Sequence, residues 1–307
     1  MLLTIPKNSS RAITSAAGTA DVVETITGVE FLPQKIKSIV KETNACLVWN
    51  GTLNLSPSDD KIIHVERILN LDVEPQLLAS IMSKKISAGS NHVLIDIPFN
   101  GGKVKKRWQA RKLGKKFRQI AKHFNIKLKA VYTDGRQPIG NGVGPILEMK
   151  DIIQVLQNSP DAPQDLKEKS IYLSIKLMQL CKIKNPEKKA REILESGQAL
   201  EKFKQIVRAQ DGKISFEKKV AKLKVAKFSH TIRASKSGLI TKISNRKTNA
   251  LCRVLGTPET KSAGVYFFHK LGKIKKGEKI FTMYSESKSK LDDGLRFLKE
   301  FELFRLE

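Results

Sequence analysis

A turn rich in hydroxyl side chains lies near the start of the sequence, at residues 7–21, which read KNSSRAITSAAGTAD. An apolar stretch precedes this turn and a predicted helix follows it, an order that presents backbone N–H groups to an anion. Arg11 adds a planar cation with the geometry that phosphate prefers. The hydroxyl groups outnumber what one helix N-cap requires, and they belong to Ser9, Ser10, Thr14, Ser15 and Thr19. The segment therefore predicts an anion-binding turn, with an ordinary helix cap as the alternative.

A second group of candidates lies in and before a helix predicted at residues 74–86. Ser80 and Lys84 are four residues apart, so their side chains project from one face of that helix. A lysine can neutralise a departing anion, and a neighbouring hydroxyl can hydrogen-bond to it. Asp72 can donate a proton only if its surroundings raise its pKa, and an ordinary acid at a helix start is the alternative. For Lys84 the alternative is a solvated surface lysine.

Two glycine-rich segments add weaker signals. Lys103 follows Gly101 and Gly102 after a predicted strand, a position that suits the approach of an anion. Residues 140–144 read GNGVG between a strand and a helix, but the spacing differs from the GxGxxG of dinucleotide sites. We interpret them as a tight turn that lines the same cleft and expect no nicotinamide cofactor.

Composition sets broad limits. The chain has 307 residues, of which 40% are hydrophobic and 28% charged, as expected for a globular protein of about two domains. No apolar run approaches the roughly 20 residues of a membrane span, and no signal peptide is evident. Three cysteines are widely spaced and five histidines are scattered, without metal-ligand spacing. These features predict a cytoplasmic protein with reduced thiols and no metal.

The charge balance is unusual: 57 basic against 30 acidic residues give a net charge of +27. The densest basic run, residues 103–122, has apolar residues at helical spacing, and the aromatic residues are predicted on its buried side. Exposed aromatic rings are what single-stranded nucleic acids need for stacking. The run therefore predicts weak, salt-sensitive association with polyanions. Nucleic-acid binding remains an alternative function of a different class.

Strands and helices alternate along most of the sequence, and they include helices predicted at 16–27 and 145–156 and a strand predicted at 45–49. This order predicts an α/β fold, with a mostly parallel sheet flanked by helices. Residues 1–54 and 91–215 are assigned to this α/β domain, and 55–90 to the remnant of a small helical domain. A lysine-rich linker at 211–225 is predicted to precede a C-terminal α+β domain at 226–307.

Five blocks of the chain resemble the thymidine phosphorylase and AMP phosphorylase family of nucleoside phosphorylases, and they occur in the family's order. They are KNSSRAITSAAGTAD (7–21), ASIMSKK (79–85), TDGRQPIGNGVGP (133–145), SAGV (262–265) and KKGEKIF (275–281). The resemblance implies a reversible reaction of a nucleoside with inorganic phosphate, without another cofactor. Thymidine phosphorylase is the first expectation and AMP phosphorylase the alternative. Complete family members are homodimers, so a homodimer is expected.

The same resemblance implies roles for individual residues. Asp72 matches the proton donor of the AMP branch, Lys103 matches a substrate ligand there, and Arg67 matches a position that helps to hold the base. Ser80 and Lys84 match the main base-binding positions, and Lys84 is also expected to act in catalysis. Phosphate and substrate contacts are implied for Ser10, Arg11, Ala12, Ile13, Thr14, Ser15 and Thr19, with Thr19 the firmest of these.

One difference from the family pattern bears on activity. Complete members carry a helical segment and a loop of the type Lys-His-Ser-x-Gly-Gly before the position that matches Met1. The resemblance therefore implies a missing half, supplied upstream or by a partner. We expect this polypeptide alone to have little or no phosphorolysis activity.

Overall fold

Parallel strand pairs and helices form the first part of the molecule, and antiparallel strands dominate its last third. The computed structural model describes residues 3–53, 74–102, 104–212 and 214–307. The mixed α/β class with a C-terminal α+β domain is thereby confirmed. Within the described residues the parallel strands form two separate pairs, where the sequence had predicted one larger sheet.

The first pair joins β1 (Ile5–Ser9) to β2 (Ala45–Trp49), with Ile5 opposite Ala45. Between them lie α1 (Thr19–Val23) and α2 (Pro33–Thr43). The helix predicted at 16–27 is shorter than expected and begins only at Thr19, because the side chains of Asn249 and Asp21 hold the amides of Ala16 and Gly18 outside a helical pattern.

The second parallel pair joins β3 (His92–Phe99) to β4 (Lys127–Asp134), with His92 opposite Lys127. Two helices cover it, α3 (Glu74–Ser87) and α4 (Arg107–His123). Their common core contains Met82, Ile95, Leu113 and Phe117. Residues four apart, such as Leu113 and Phe117, lie on one side of a helix, so α4 presents an apolar stripe to the strands.

The prediction that the aromatic residues of α4 lie on its buried side was wrong for two of them. Trp108 is 59% exposed and Phe124 is 48% exposed. Trp108 precedes the buried Phe117 by nine residues, which is two and a half helical turns, so the two rings point in opposite directions. Phe124 lies just beyond the last residue of the helix.

A helical region follows. The short strand β5 (Gly142–Val143) leads into α5 (Pro145–Leu156), the helix that the sequence predicted. Three further helices are α6 (Gln164–Leu180), α7 (Pro186–Glu195) and α8 (Gln198–Gln210).

The segment predicted as a linker contains a helix, α9 (Phe216–Ala221). The interpretation of 211–225 as a simple linker was therefore wrong. Its apolar residues are buried: Phe216 packs edge-on against Phe203, with 5.9 Å between the ring centroids, and Leu223 joins the same core.

The C-terminal domain contains two antiparallel sheets. Its elements are β6 (Phe228–Arg233), β7 (Gly238–Ile243), α10 (Asn245–Leu255), β8 (Gly264–Phe267), β9 (Gly272–Ile274), β10 (Lys279–Ser285), α11 (Lys288–Glu300) and β11 (Phe304–Leu306). One sheet has the order β5-β8-β10-β6 and the other β11-β7-β9. Because β5 precedes this domain in sequence, its pairing with β8 fastens the C-terminal domain to the rest of the molecule. Among the described residues, no helix is long and apolar enough to cross a membrane.

A glutamine side chain closes the edge of β2 that faces away from β1. The Gln210 side-chain amide accepts a hydrogen bond from Leu47 N at 2.8 Å and donates to Leu47 O at 3.0 Å and Gly28 O at 2.8 Å. Gln210 is only 4% exposed. It therefore replaces the strand that would otherwise satisfy this edge.

Replacing Gln210 with leucine should lower the free energy of unfolding by about 3 kcal/mol, because three backbone groups lose their partner. Urea denaturation of Gln210→Leu and of the matched Gln205→Leu measures this. Gln205 lies on the same helix, is exposed and contacts a lysine side chain. Equal stability of the two variants would contradict the role given to Gln210.

Candidate functional site

The hydroxyl-rich turn begins where β1 ends and doubles back to α1. Its two arms touch, since Ala20 N donates to Ser10 O at 3.4 Å. Gly18 is required at this crossing, because a Cβ on it would lie 2.6 Å from Ser10 O and from Ala12 N. The strand–turn–helix order expected from the sequence is therefore present, although α1 has only five residues.

A buried carboxylate holds the turn in shape. Asp21 is 4% exposed, and its Oδ2 accepts hydrogen bonds from Ala12 N at 2.7 Å and Gly18 N at 2.8 Å. At the tip, Ala16 N donates to Asn249 Oδ1 of α10 at 2.9 Å. Three amides of the turn are thus occupied by side chains of the protein, and the C-terminal domain supports the tip.

Arg11 is bound by acidic side chains. Its guanidinium donates to Glu24 Oε2 at 2.8 Å and Oε1 at 2.7 Å, and to Glu30 at 2.7 Å and Asp21 at 3.3 Å. It also lies over the ring of Trp49, 4.8 Å from the centroid. Hydrogen bonding to Arg11, with Lys261 adding to it, lowers the pKa of Glu24 to about 2. The guanidinium therefore braces the turn, and the phosphate contact implied for Arg11 stays a prediction.

Other donors of the turn have no acceptor within the described part of the chain. The consecutive amides of Ile13, Thr14 and Ser15 donate to none of its atoms. The hydroxyl groups of Thr14 and Thr19 likewise have no hydrogen-bond partner there, and Thr19 is exposed. Ser15 Oγ donates to Ala17 O at 2.9 Å. A row of unused amides beside hydroxyl groups is the pattern that binds an oxyanion.

The second predicted cluster lies beside the same end of β1. Lys84 is 8% exposed, and its Nζ donates to Ser80 Oγ at 2.7 Å, one helical turn away. The helix α3 is anchored there because Asn8 Nδ2 donates to Lys84 O at 3.1 Å. Ser10 follows Asn8 by two residues, so the Ser80–Lys84 pair and the turn meet at the carboxyl end of β1.

Two further lysines make this region strongly cationic. Loss of hydration and then the nearby charge of Lys84 lower the pKa of Lys7. For Lys85, burial followed by the charges of Lys7 and Lys84 lowers the pKa to about 8. No carboxylate within the described residues forms an ion pair with Lys7 or Lys85. An anion bound here would relieve the repulsion among the ammonium groups.

Two buried amide side chains complete the junction. Asn8 Nδ2 also donates to Asn50 Oδ1 at 3.3 Å, while Asn8 Oδ1 and Asn50 Nδ2 have no partner. Both residues are at most 4% exposed. Buried polar atoms without partners are costly in a folded protein and are frequent at functional sites.

Three of the predicted site residues, Arg67, Asp72 and Lys103, lie outside the described residues. Their roles remain predictions.

A cavity of about 270 Å³ lies behind the turn and is lined by Gly142, Val143 and Glu148, among others, with Asn249 shared between cavity and turn. Glu148 Oε1 accepts from Gly144 N at 3.2 Å. Burial, opposed by that hydrogen bond and reinforced by the charges of Asp151 and Asp21, raises the pKa of Glu148 to about 8.

The glycine-rich turn that borders this cavity is shaped by a second carboxylate. Asp151 Oδ2 accepts from Asn141 N at 2.6 Å and from Gly142 N at 2.7 Å. Gly140 has a φ of +76°, and a Cβ there would lie 2.6 Å from the same oxygen. These glycines therefore serve a tight turn, as the sequence predicted.

Sequence reasoning missed the residues that support the site. Asp21 and Glu24 were not assigned, although an arginine followed by carboxylates ten and thirteen residues later, in the first turn of α1 and just after its end, is a visible signal. Asn8 and Asn249 gave no signal, because their partners lie 76 and 233 residues away.

Similarity to known proteins extends over nearly the whole chain. No family model matches. An AMP phosphorylase of Methanococcus aeolicus is 43% identical over 302 residues, which are 97% of this chain and 59% of that protein. An AMP phosphorylase of Methanococcus maripaludis strain C6 is 45% identical over 294 residues, which are 94% of this chain and 58% of that protein.

A protein of Legionella pneumophila named "Putative thymidine phosphorylase" is 41% identical over 304 residues, which are 97% of this chain and 57% of that protein. The chain therefore spans less than two thirds of the length of these relatives.

Replacing Asp21 with asparagine should open the turn, because the buried acceptor of two amides loses its charge. We expect the free energy of unfolding to fall by about 3 kcal/mol. The amides of Ala12 and Gly18 should exchange with deuterium faster. Asp161→Asn, at an exposed aspartate, is the control. Unchanged exchange at Ala12 and Gly18 in Asp21→Asn would refute this role.

The raised pKa of Glu148 predicts a pH dependence of stability. The carboxyl group stays neutral in the folded chain up to about pH 8 but ionises near pH 4.5 when unfolded. Stability from this group is therefore present below pH 4.5 and is lost as the pH rises to 8, by up to about 1.4 kcal/mol per pH unit. Glu148→Gln should lose less stability over that window than the wild type or the exposed control Glu300→Gln, as measured by urea denaturation. If the free energy of unfolding changed with pH in the same way for all three proteins, the raised pKa of Glu148 would be contradicted.

Proposed function

The chain belongs to the family of AMP phosphorylases and thymidine phosphorylases, and we propose that its site serves phosphorolysis of thymidine. In this reaction an oxygen of inorganic phosphate bonds to C1′ of the sugar while the bond from C1′ to the base nitrogen breaks. The electron pair of that bond leaves with the base, which takes up a proton, and the products are thymine and 2-deoxyribose 1-phosphate. The observation that carries the proposal is the meeting of the amide row 13–15 and the Ser80–Lys84 pair at one end of β1.

Phosphate is assigned to the turn. Its two negative charges need several donors, and the amides of residues 13–15 with the hydroxyl groups of Ser10, Thr14 and Thr19 supply them. The acidic side chains behind the turn would repel phosphate if they stood alone. Arg11 and Lys261 together offset two of the three negative charges of Asp21, Glu24 and Glu30, which lowers the repulsion that an anion meets at the front of the turn.

The departing base is assigned to α3. As the glycosidic bond breaks, negative charge grows on the base, and a preorganised cation stabilises it more in the transition state than in the ground state. Lys84 is buried and held by Ser80, so little reorganisation is needed. Asp72 remains our proposed proton donor, from the resemblance alone.

Phosphorolysis of AMP is the second candidate. Lys7 and Lys85 add positive charge beside Lys84 beyond what one phosphate in the turn requires. A nucleotide brings a second phosphate, on its 5′ carbon, to which such cations are suited. The relatives named AMP phosphorylase agree with this candidate.

A substrate panel separates the two candidates. The purified chain is incubated with thymidine, uridine, AMP or CMP, with and without phosphate, and the free base is quantified. Thymine released only with phosphate supports the proposal, and release of adenine alone selects the second candidate. Because the chain spans 57–59% of its relatives, turnover is expected to be slow, and binding is measured beside it.

Two substitutions test the assigned roles by calorimetric titration. Thr19→Val should weaken binding of inorganic phosphate about tenfold, since one hydroxyl donor is lost beside a doubly charged anion. Lys84→Met should leave phosphate affinity unchanged and weaken thymine binding about tenfold or more.

The controls for these substitutions are Thr4→Val and Lys299→Met, at exposed positions elsewhere. Should Thr19→Val bind phosphate as well as Thr4→Val does, the turn is not the phosphate site. Loss of phosphate affinity in Lys84→Met would refute the division of roles.

A further inference from the structure

The outer side of α4 has an extreme charge pattern. Between Asp96 and Asp134 the sequence contains no acidic residue. Eight exposed basic residues lie on α4 or directly before it, and we call them the basic face: Lys105, Lys106, Arg107, Arg111, Lys112, Lys115, Arg118 and Lys122. None of them forms an ion pair with a carboxylate of the described residues, whereas Lys116 beside them pairs with Glu74. The face therefore carries a concentrated positive charge that the described part of the fold leaves uncompensated.

Trp108 lies in the first turn of α4, among the cations of the basic face. Arg111, Lys112 and Lys115 follow it at three, four and seven residues, the spacing that places side chains in one stripe along a helix. The indole is 59% exposed and takes no part in the core that α4 shares with the strands. A large aromatic ring therefore lies among cations on a solvent-facing stripe, outside the core that α4 shares with the strands.

The positions of the cations do not stabilise the helix either. Lys105, Lys106 and Arg107 stand at its N-terminal end, where the helix dipole favours negative side chains. Folding alone would select the opposite charge there. A ligand that carries repeated negative charges would compensate this cost.

We propose that the basic face and Trp108 bind single-stranded nucleic acid. Arginine and lysine side chains along α4 contact successive phosphates, and the indole of Trp108 stacks on an unpaired base. A helix of this length, 17 residues, extends about 26 Å, enough to follow several nucleotides. In a duplex the bases are already stacked on one another, so the ring favours the single strand. This surface shares no residue with the turn or with the Ser80–Lys84 pair.

The chain offers a direct optical test, since Trp49 and Trp108 are its two tryptophans. Trp49 lies under the Arg11 guanidinium and is not part of the basic face. Titration with a twelve-nucleotide oligouridylate should quench the tryptophan emission of the wild-type chain. In Trp108→Phe, where Trp49 alone emits, quenching should vanish while binding persists. Quenching that persists in Trp108→Phe would place the ligand elsewhere and overturn the proposal.

Binding affinities of labelled oligonucleotides then separate stacking from charge. Trp108→Ala should weaken binding of the single strand about tenfold and Trp108→Phe less, because a ring remains. Binding of a duplex of the same length should be weaker and insensitive to both substitutions. Equal affinity for single strand and duplex, with no effect of Trp108→Ala, would show that the surface attracts any polyanion by charge alone. That result would refute the proposal.

The salt dependence of binding tests the basic face itself. In Arg111→Ala/Lys112→Ala the slope of log K against log salt should fall in magnitude by about 1.4, for two lost phosphate contacts. The matched control Lys35→Ala/Lys37→Ala removes the same charge from exposed positions on α2 and should leave the slope unchanged. Equal slopes for the two double variants would show that the net charge of the chain, and not this face, attracts the strand.

Discussion

The buried carboxylate of Asp21 is the interaction on which the site depends. A charge taken out of water is tolerated only when it is well hydrogen-bonded, and Asp21 receives two backbone amides and a contact from Arg11. By joining Ala12 to Gly18, it closes the turn, while the amides of residues 13–15 between them donate to no atom of the described residues. Arg11 and Glu24 extend the same network, and Lys261 joins it to the C-terminal domain through Glu24 at 2.6 Å.

The charges around the site are divided into two regions. Behind the turn, three carboxylates share one guanidinium, so that region is close to neutral or slightly acidic. Beside the end of β1, Lys7, Lys84 and Lys85 repel one another, and this repulsion adds to the larger effect of burial in lowering the pKa of Lys85. An incoming anion is therefore drawn to the lysine side by local charge and by the net charge of +27, which raises anion concentrations near the whole surface.

The sequence was sufficient to predict the features that depend on local patterns of residues. The bounds of β2 and α5 were predicted to the residue, since apolar runs between turn residues and a proline at a helix start are local signals. The pairing of Ser80 with Lys84 followed from helical spacing alone. The class of the fold followed from the alternation of strands and helices.

Other features depend on partners distant in sequence and could not be predicted. Asn249 supports the tip of the turn across 233 residues, and Gln210 closes the edge of β2 across 163. Trp108 was misplaced for a different reason. It precedes Phe117 by nine residues, which puts the two side chains on opposite sides of α4. The prediction grouped all apolar residues of the helix on one side without working out these angles. The helix α9 was missed within the predicted linker at 211–225, because the many lysines there obscure its apolar residues, of which Phe216 is buried.

The most direct test is an NMR titration of the ¹⁵N-labelled, deuterated chain with inorganic phosphate. The amides of Ile13, Thr14 and Ser15 should show the largest shifts, while Ala12 and Gly18, already bonded to Asp21, shift little. Largest shifts on the basic face of α4, with residues 13–15 unmoved, would contradict the assignment of phosphate to the turn.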